Sequence, residues 1–181
     1  SQHLPAGFGV NPGICVRPHW LEQLGQTGAA YYVNNLETSP RMFPKFVTTH
    51  DQAAKLQSLR LARQVGLAIH TGFILGLGET KEDCEEIYRL IDQVEPDGVN
   101  LNFFYPAAGL MMAKELRRPE TALVLQWVYQ FRQRLSDIPI YLGAGRRRWL
   151  RELLPSAEQL VTGVYVKRFL NHEALPLVGD Q

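Results

Sequence analysis

The sequence has few residues that could form disulfides or hold a metal cluster. Its 181 residues include only two cysteines, Cys15 and Cys84. This excludes a disulfide scaffold and any cluster that takes three thiolate ligands from this chain alone. The five histidines lack the spacing of a metal site. No apolar run reaches the roughly 18 to 20 residues needed to cross a bilayer, and no leader peptide is evident. We therefore expect a cytoplasmic protein without a membrane partner.

Neither sign of charge is in excess. Nineteen Lys and Arg residues against eighteen Asp and Glu residues give a formal net charge of +1, which offers nucleic acid no general electrostatic attraction. The chain is 45% hydrophobic and 20% charged, which excludes disorder, collagen and coiled-coil arrays. No repeat, low-complexity tract or linker divides it. We expect a single domain over residues 1–181, with 168–181 as an irregular tail.

The chain alternates between short apolar runs and segments of helical periodicity. The runs are bounded by glycine, proline or asparagine and predict six strands, at 8–16, 30–36, 67–75, 98–105, 138–143 and 162–167. Apolar residues at helical spacing predict helices between them. One closes at Gly66, the next begins with a capping box of Thr80 and Asp83, and a third carries Pro119 and Glu120 in its first turn.

This alternation predicts parallel strands joined by right-handed crossovers, hence an α/β layer fold or a barrel. A closed eight-stranded barrel takes roughly 250 residues, so six strand and helix units amount to about three quarters of one. Either the sheet is open or further strands complete it.

The strongest local signal is the segment 70–80, HTGFILGLGET. An apolar strand here runs into three glycines and an acid before a helix. Glycines at the carboxyl end of a parallel strand let a ligand pack against the main chain. The alternative is a tight strand-to-helix turn with Glu79 near the positive end of the helix. Spacing alone favours a ligand-binding loop and a plain strand-to-helix turn equally.

A second signal is the pair Asn35 and Glu37 at the end of the second predicted strand. Two residues apart on a strand, they share one face. An amide and a carboxylate that project together suit the two hydroxyls of a ribose. The alternative, which composition alone favours, is a side-chain turn that stops the strand.

Two further signals lie on later strands. Asn100 and Asn102 put amides on one face of an otherwise apolar strand, where either a polar substrate or an internal side-chain network would satisfy them. Arg146 follows the fifth predicted strand and is placed to reach into a site. Arg147 and Arg148 suit either a solvated helix start or binding of an exposed carboxylate.

Five segments together, in their order and spacing, resemble the biotin synthase family of radical S-adenosylmethionine enzymes. They are NLETSP (35–40), TTH (48–50), GFILGLGET (72–80), LNF (101–103) and GAGR (143–146). Hydrogenase-maturase and methylornithine-synthase proteins are neighbouring relatives. The similarity begins near Phe8 and runs to the end of the last strand. It implies a partial (β/α) TIM-type barrel of about six parallel strands, the third to the eighth of the family's barrel.

The resemblance implies a site for S-adenosylmethionine. Its positions are Asn35 and Glu37 at the ribose, Lys55 near the methionine carboxylate, and Gly72, Ile74, Gly76 and Glu79 in the Gly-x-Ile-x-Gly-x-x-Glu motif beside the adenine. The resemblance also implies a substrate side. Its positions are Asn102, which faces the organic substrate, Arg146, which matches an Arg at an auxiliary cluster, and, as further candidates, Asn100 and His70.

The chain also departs from the family. It lacks the Cys-x-x-x-Cys-x-x-Cys loop that anchors the family's 4Fe-4S cluster, together with the first two strands. His70 and Val10 stand where the family has auxiliary-cluster cysteines, and Val33 replaces an Asn near the substrate. Residues 109–112, GLMM, replace the usual Gly-Thr-Pro-Leu. A 4Fe-4S cluster would therefore need cysteines from a further segment, and we expect no catalytic or metal-ligating residue within this chain.

We therefore expect the carboxyl-terminal three quarters of a biotin synthase-like enzyme. It would bind S-adenosylmethionine for 5′-deoxyadenosyl-radical hydrogen abstraction from a small organic substrate, and would be inactive without the cluster-bearing segment. A complementary amino-terminal segment or a second copy would be its partner. The alternative is a non-catalytic α/β module that binds an adenosine-containing ligand or a partner protein. A third reading has Arg146 and His70 hold a carboxylate substrate without an auxiliary cluster.

Overall fold

The computed structural model describes residues 8–104 and 120–165. Within these ranges, parallel strands form one sheet in which each strand pairs with the next along the chain. The strands are β1 (Phe8–Val10), β2 (Ala29–Val33), β3 (Ala68–Leu75), β4 (Gly98–Phe103), β5 (Ile140–Leu142) and β6 (Gly163–Val164). All six predicted strands are present, each shorter than its predicted run. The last residue of the run 98–105 and the last two of 162–167 lie outside the described residues.

Helices connect successive strands. They are α1 (Pro18–Gln26), α2 (Phe43–Phe46), α3 (Gln52–Gln64), α4 (Lys81–Val94), α5 (Thr121–Arg134), α6 (Arg146–Leu150) and α7 (Leu154–Glu158), with a 3₁₀ turn at Arg151–Leu153 between the last two. Helix α1 was not predicted. The first strand was expected to reach residue 16, but it ends at Val10. Pro18 starts the helix, because its fixed φ suits a first helical turn. No helix in the described ranges has both the length and the apolarity to span a membrane.

The predicted helix boundaries largely coincide with caps in the structure. Thr80 Oγ1 accepts a hydrogen bond from Asp83 N, and Asp83 Oδ2 accepts one from Thr80 N at 2.9 Å, which is the predicted capping box. Gly66 follows α3 with a φ of 85°. Glu120 was expected inside the first turn of α5 but lies just before it, as the N-cap. Pro119 lies outside the described residues.

The two faces of the sheet differ in character. On the outer face, large apolar side chains such as Phe73 and Leu101 are fully buried and belong to the core formed with the helices. The opposite face, here called the inner face, carries rings, amides and glycines. It comprises Tyr31, Val33, Asn35, His70, Gly72, Ile74, Asn100, Asn102, Tyr141 and Tyr165. The chain thus forms a curled, partial (β/α) TIM-type barrel, as predicted. The carboxyl ends of its strands meet at one edge, where such folds place their sites.

Candidate functional site

The segment after β2 turns sharply at Glu37. Its φ of 67° lies in the left-handed region, which is uncommon for a residue with a side chain. Backbone hydrogen bonds to β3 hold the turn: Glu37 N donates to Gly72 O at 3.1 Å, and Ile74 N donates to Glu37 O at 2.7 Å. Strand β2 ends at Val33, before the predicted residue 36. Backbone pairing with β3 nevertheless continues to the turn, through Asn34 N to His70 O at 3.0 Å and Leu36 N to Gly72 O at 2.9 Å, so the alternation that puts Asn35 on the inner face extends beyond the strand.

Lys55 lies on α3, directly against this turn, and is 8% exposed. Its Nζ donates to Asn35 O at 2.8 Å, to Glu37 Oε1 at 3.0 Å and to Asn34 Oδ1 at 3.3 Å. An ammonium group has three protons to donate. These three acceptors use all of them, so a methionine carboxylate at Lys55 would have to displace one. The role predicted for Lys55 at that carboxylate remains a prediction.

Asn35 carries an acceptor that no group among the described residues satisfies. Its Oδ1 is buried and has no hydrogen-bond partner. The side chain packs against Gly72, where a β-carbon would lie only 2.6 Å from Oδ1. A side chain at residue 72 would therefore displace Asn35. Leaving a buried acceptor unpaired costs about 1 to 3 kcal/mol, so a ligand that donates a hydrogen bond here would gain that energy.

Glu79 shapes the loop that follows β3. Its Oε2 accepts hydrogen bonds from Gly76 N and Leu77 N, both at 3.1 Å. Gly76 has a φ of 92°, and a β-carbon there would lie 3.2 Å from the Trp149 ring. Burial raises the pKa of Glu79, against the lowering effect of these backbone donors. Glu79 therefore acts on the main chain of the loop, and the loop in turn offers backbone and small residues to a ligand.

The two amides predicted to face a substrate have partners within the chain. Asn100 Oδ1 accepts from Tyr165 Oη at 2.9 Å, and Asn102 Oδ1 accepts from Ala144 N at 3.0 Å. The sequence left two ways to satisfy these amides, a polar substrate or an internal side-chain network. Part of such a network is present. The amide nitrogens of both residues have no hydrogen bond among those found in the described residues. Binding of a substrate by Asn100 and Asn102 remains a prediction.

Arg146 begins α6, at the carboxyl end of β5. Its Nη1 donates to Gly143 O at 3.0 Å, while its Nε is buried without a hydrogen-bond partner in the part of the chain that the structure describes. Arg147 and Arg148 are exposed, as predicted for a helix start. The structure therefore brings the guanidinium of Arg146 to the same edge of the sheet as Asn102 and the loop after β3.

Aromatic rings cover the amino-terminal part of the inner face. The His70 ring stacks on Tyr31, with ring centroids 4.3 Å apart and planes 12° apart, and on Tyr141 at 5.7 Å and 24°. His70 also lies over Gly98, where a β-carbon would come within 2.7 Å of its Nε2. The side chain is 3% exposed, and neither ring nitrogen has a hydrogen-bond partner within residues 8–104 and 120–165. Burial lowers the pKa of His70, which keeps the imidazole neutral at pH 7.

Sequence reasoning missed two polar connections at this edge. Gln52 Nε2 donates to the carbonyls of Leu36 and Thr38 at 2.9 and 2.7 Å. Asp83 accepts hydrogen bonds from Ser39 Oγ at 2.6 Å and from the guanidinium of Arg41. The only available signal was the presence of polar residues within otherwise apolar helical stripes, which does not identify partners far away in the chain.

The described residues do not fit an iron–sulfur cluster. Across 8–104 and 120–165, no three His, Cys, Asp or Glu side chains lie close enough to hold a metal ion. Cys15 and Cys84 are both free thiols. No step of a reaction is therefore assigned to a cluster here.

Comparison with known proteins identifies the relatives of this chain. No protein-family model matches it. It is 35% identical over 153 residues to the biotin synthase of Trichlorobacter lovleyi, an alignment that covers 81% of this chain and 45% of that protein. The biotin synthase of Streptomyces avermitilis is 30% identical, with 84% of this chain and 39% of that protein covered. The biotin synthase of Nitratiruptor sp. is 31% identical, with 81% of this chain and 53% of that protein covered. The chain thus spans about half, or less, of the length of these relatives.

Solved structures share the fold. Methylornithine synthase (PylB) superposes with a TM-score of 0.73 at 19% identity, covering 86% of this chain and 46% of that one. HydG, a maturase of the [FeFe]-hydrogenase, gives a TM-score of 0.71 at 15% identity, and the superposition covers 86% of this chain and 36% of HydG. At this level of identity the two structures show the fold alone, a partial (β/α) barrel. The sequence relatives identify the chain as biotin synthase-like, of the radical S-adenosylmethionine type, which confirms the resemblance predicted from its motifs.

Proposed function

We propose that this chain forms the adenosine-binding edge and the substrate wall of a biotin synthase-like radical S-adenosylmethionine enzyme. One observation carries the proposal: the buried, unpartnered Oδ1 of Asn35 lies beside the Glu37 turn, at the edge where β2 and β3 end. A buried acceptor without a donor marks a position that a ligand can satisfy. Sequence similarity to biotin synthases over most of the chain supports the same assignment.

The ribose of S-adenosylmethionine fits the acceptors at this edge. Lys55 occupies Oε1 of Glu37, and the Glu37 side chain is 23% exposed, so its second oxygen can be reached. Asn35 Oδ1, which is buried until its side chain turns outward, would be the second acceptor for two vicinal hydroxyls. The adenine would lie against the main chain of the loop after β3, whose shape Glu79 maintains, with Ile74 beside it.

The chemistry that S-adenosylmethionine supplies in this family is hydrogen abstraction from the substrate. This chain's own residues would bind, orient and shield the reactants. The inner face carries rings and amides, so it suits an uncharged part of a small organic substrate. Arg146, at the carboxyl edge, would meet an anionic end. His70 lies deeper, near the start of β3, and it is neutral. We therefore do not expect it to add a second positive charge beside Arg146 at one carboxylate.

Isothermal titration of the 181-residue chain with S-adenosylmethionine tests this proposal. We expect saturable binding, weakened about tenfold or more by Asn35→Ala and by Glu37→Ala, because each removes a hydrogen bond worth about 1.4 kcal/mol or more. Glu82→Ala, at an exposed acid outside the site, is the matched control and should bind as the parent does. Circular dichroism establishes that each variant is folded. A folded parent chain that binds no S-adenosylmethionine would overturn the proposal and favour the non-catalytic module.

A further inference from the structure

Helix α3 buries three polar side chains on one face. Gln52, Lys55 and Ser58 follow one another at intervals of three residues and are 9%, 8% and 0% exposed. Burying polar groups costs free energy unless they are hydrogen-bonded. The same helix also buries apolar residues such as Leu59 and Ala62, so its packing on the sheet does not depend on a polar face. The three polar side chains must be explained by what they contact.

Gln52 spans the Glu37 turn from the outside. Its single amide nitrogen donates to Leu36 O at 2.9 Å and to Thr38 O at 2.7 Å, the carbonyls on either side of Glu37. One side chain thus holds the peptide group that precedes Glu37 and the one that follows Thr38, on either side of a residue with φ of 67°. Backbone in this region costs about 1 kcal/mol or more and persists only where its surroundings hold it.

Lys55 holds the side chain of the same residue. It pairs with Glu37 Oε1 and also donates to the carbonyl of Asn35. The carboxylate is therefore fixed through one oxygen, while the other stays available. Held in place before a ligand arrives, such an acceptor loses little conformational entropy on binding.

Ser58 serves a different segment and provides a natural control. Its Oγ accepts from Cys15 N at 2.8 Å and donates to Cys15 O at 2.9 Å. It also lies within hydrogen-bond distance of Tyr32 Oη. It anchors the loop after β1 and makes no hydrogen bond to the Glu37 turn in the described residues.

We infer that Gln52 and Lys55 are positioning residues that set the Glu37 carboxylate for a vicinal diol, and that they thereby make the site selective for the ribose hydroxyls of its nucleoside ligand. This inference rests on the proposed function, because it takes Glu37 to be the ribose acceptor. It goes beyond that function by naming two residues that determine hydroxyl selectivity. Neither Gln52 nor Lys55 is itself an acceptor for the ribose hydroxyls, and both act through Glu37.

The test compares adenosine with 2′-deoxyadenosine, which lacks one hydroxyl, by calorimetric titration of the full chain. We expect the parent chain to prefer adenosine at least tenfold. In Gln52→Met and Lys55→Met this preference should fall to about threefold or less, while affinity for 2′-deoxyadenosine changes less than about twofold. Ser58→Ala, the matched control on the same face, should keep the parent's preference. A merely structural role would weaken both ligands equally.

Two additional variants keep the test decisive if a methionine variant does not fold. Gln52→Asn retains a buried amide but is one methylene too short to reach both carbonyls, so it should also lose selectivity. Lys55→Arg retains the positive charge, so it should keep part of the preference for adenosine that Lys55→Met loses. If the parent binds adenosine without hydroxyl preference, the ribose assignment of the proposed function fails. If the parent prefers adenosine over 2′-deoxyadenosine and the Gln52 and Lys55 variants show the same preference, only the positioning inference is overturned.

Discussion

His70 is a titratable side chain that the fold keeps uncharged. It is enclosed by the rings of Tyr31 and Tyr141 and has no hydrogen bond at either nitrogen. Burial lowers its pKa, because a charged imidazole would lose its hydration there and the attraction of the Asp97 carboxylate offsets only part of that loss. In the unfolded chain the same side chain titrates near its ordinary pKa of about 6.5. The difference between the two states makes stability depend on pH.

The sign of that dependence follows from the depressed pKa. Below about pH 6.5 the unfolded chain binds a proton at His70 that the folded chain does not, so stability falls as the pH falls. The slope contributed by one such group is at most about 1.4 kcal/mol per pH unit. We expect His70→Phe to remove this contribution, apart from any constant offset caused by the larger ring. Urea unfolding at pH 7.5, 6.0 and 5.0 measures it.

His19, which is exposed, supplies the control for this measurement. His19→Gln, unfolded at the same three pH values, shows how far a substitution at an exposed histidine by itself changes the result. An unchanged slope in His70→Phe would contradict the burial argument, since the only buried imidazole of the described residues would then contribute nothing.

At the scale of the element, sequence patterns predicted what depends on neighbours along the chain. The Thr80 and Asp83 spacing fixed the start of α4, and the glycines after β3 marked the loop that Glu79 organises. The left-handed turn at Glu37 was not predictable, because its hydrogen bonds come from β3 and from Gln52 on α3. Polar residues on a helix reveal neither burial nor distant partners. The sequence therefore pointed to Asn35 and Glu37 as ligand candidates, which stays a prediction, and to Lys55 in a different role, and it missed Gln52 as a support of the turn.

Asp83 joins two elements through one carboxylate. It completes the capping box at the start of α4 and accepts hydrogen bonds from Ser39 and Arg41, in the segment between β2 and α2. Burial alone would raise the pKa of Asp83, but hydrogen bonds from Arg41, Ser39 and Thr80 outweigh that effect and hold the pKa far below its usual range. This contribution to stability is therefore present above about pH 4, near the unfolded pKa, and is lost as the pH falls below it.

Asp83→Asn tests this connection. We expect a loss of about 2 to 4 kcal/mol in the free energy of unfolding at pH 7, because a capping interaction and charged hydrogen bonds are weakened together. The gap between parent and variant should narrow below about pH 4 as the parent's carboxylate becomes protonated in the unfolded state. Urea unfolding at pH 7 and pH 3 gives both values. Glu82→Gln, at the exposed neighbouring position, should cost under about 0.5 kcal/mol. Equal losses at both positions would argue against the connection.

At the scale of the whole molecule, stability is concentrated at the centre of the sheet. Strands β3 and β4 pair over six residues. The outermost of the described strands are much shorter, with three residues in β1 and two in β6. Phe73 on β3 is fully buried and packs near Phe131 of α5, while Phe8 on β1 is 52% exposed. Partial unfolding should therefore begin at the edges, which lie on both sides of the ligand site rather than within it.

The same substitution at the centre and at the edge measures this gradient. Phe73→Ala should cost about 3 to 5 kcal/mol, because it leaves a cavity between the sheet and α5. Phe8→Ala should cost under about 1 kcal/mol, because its ring is already half solvated. Hydrogen exchange of the parent should find the slowest amides in β3 and β4 and faster ones in β1. Equal protection of β1 and β3 would mean that the sheet opens only as one unit. The carboxyl edge of β3, with Gly72 and the loop after it, would then be no more rigid than the rest of the sheet.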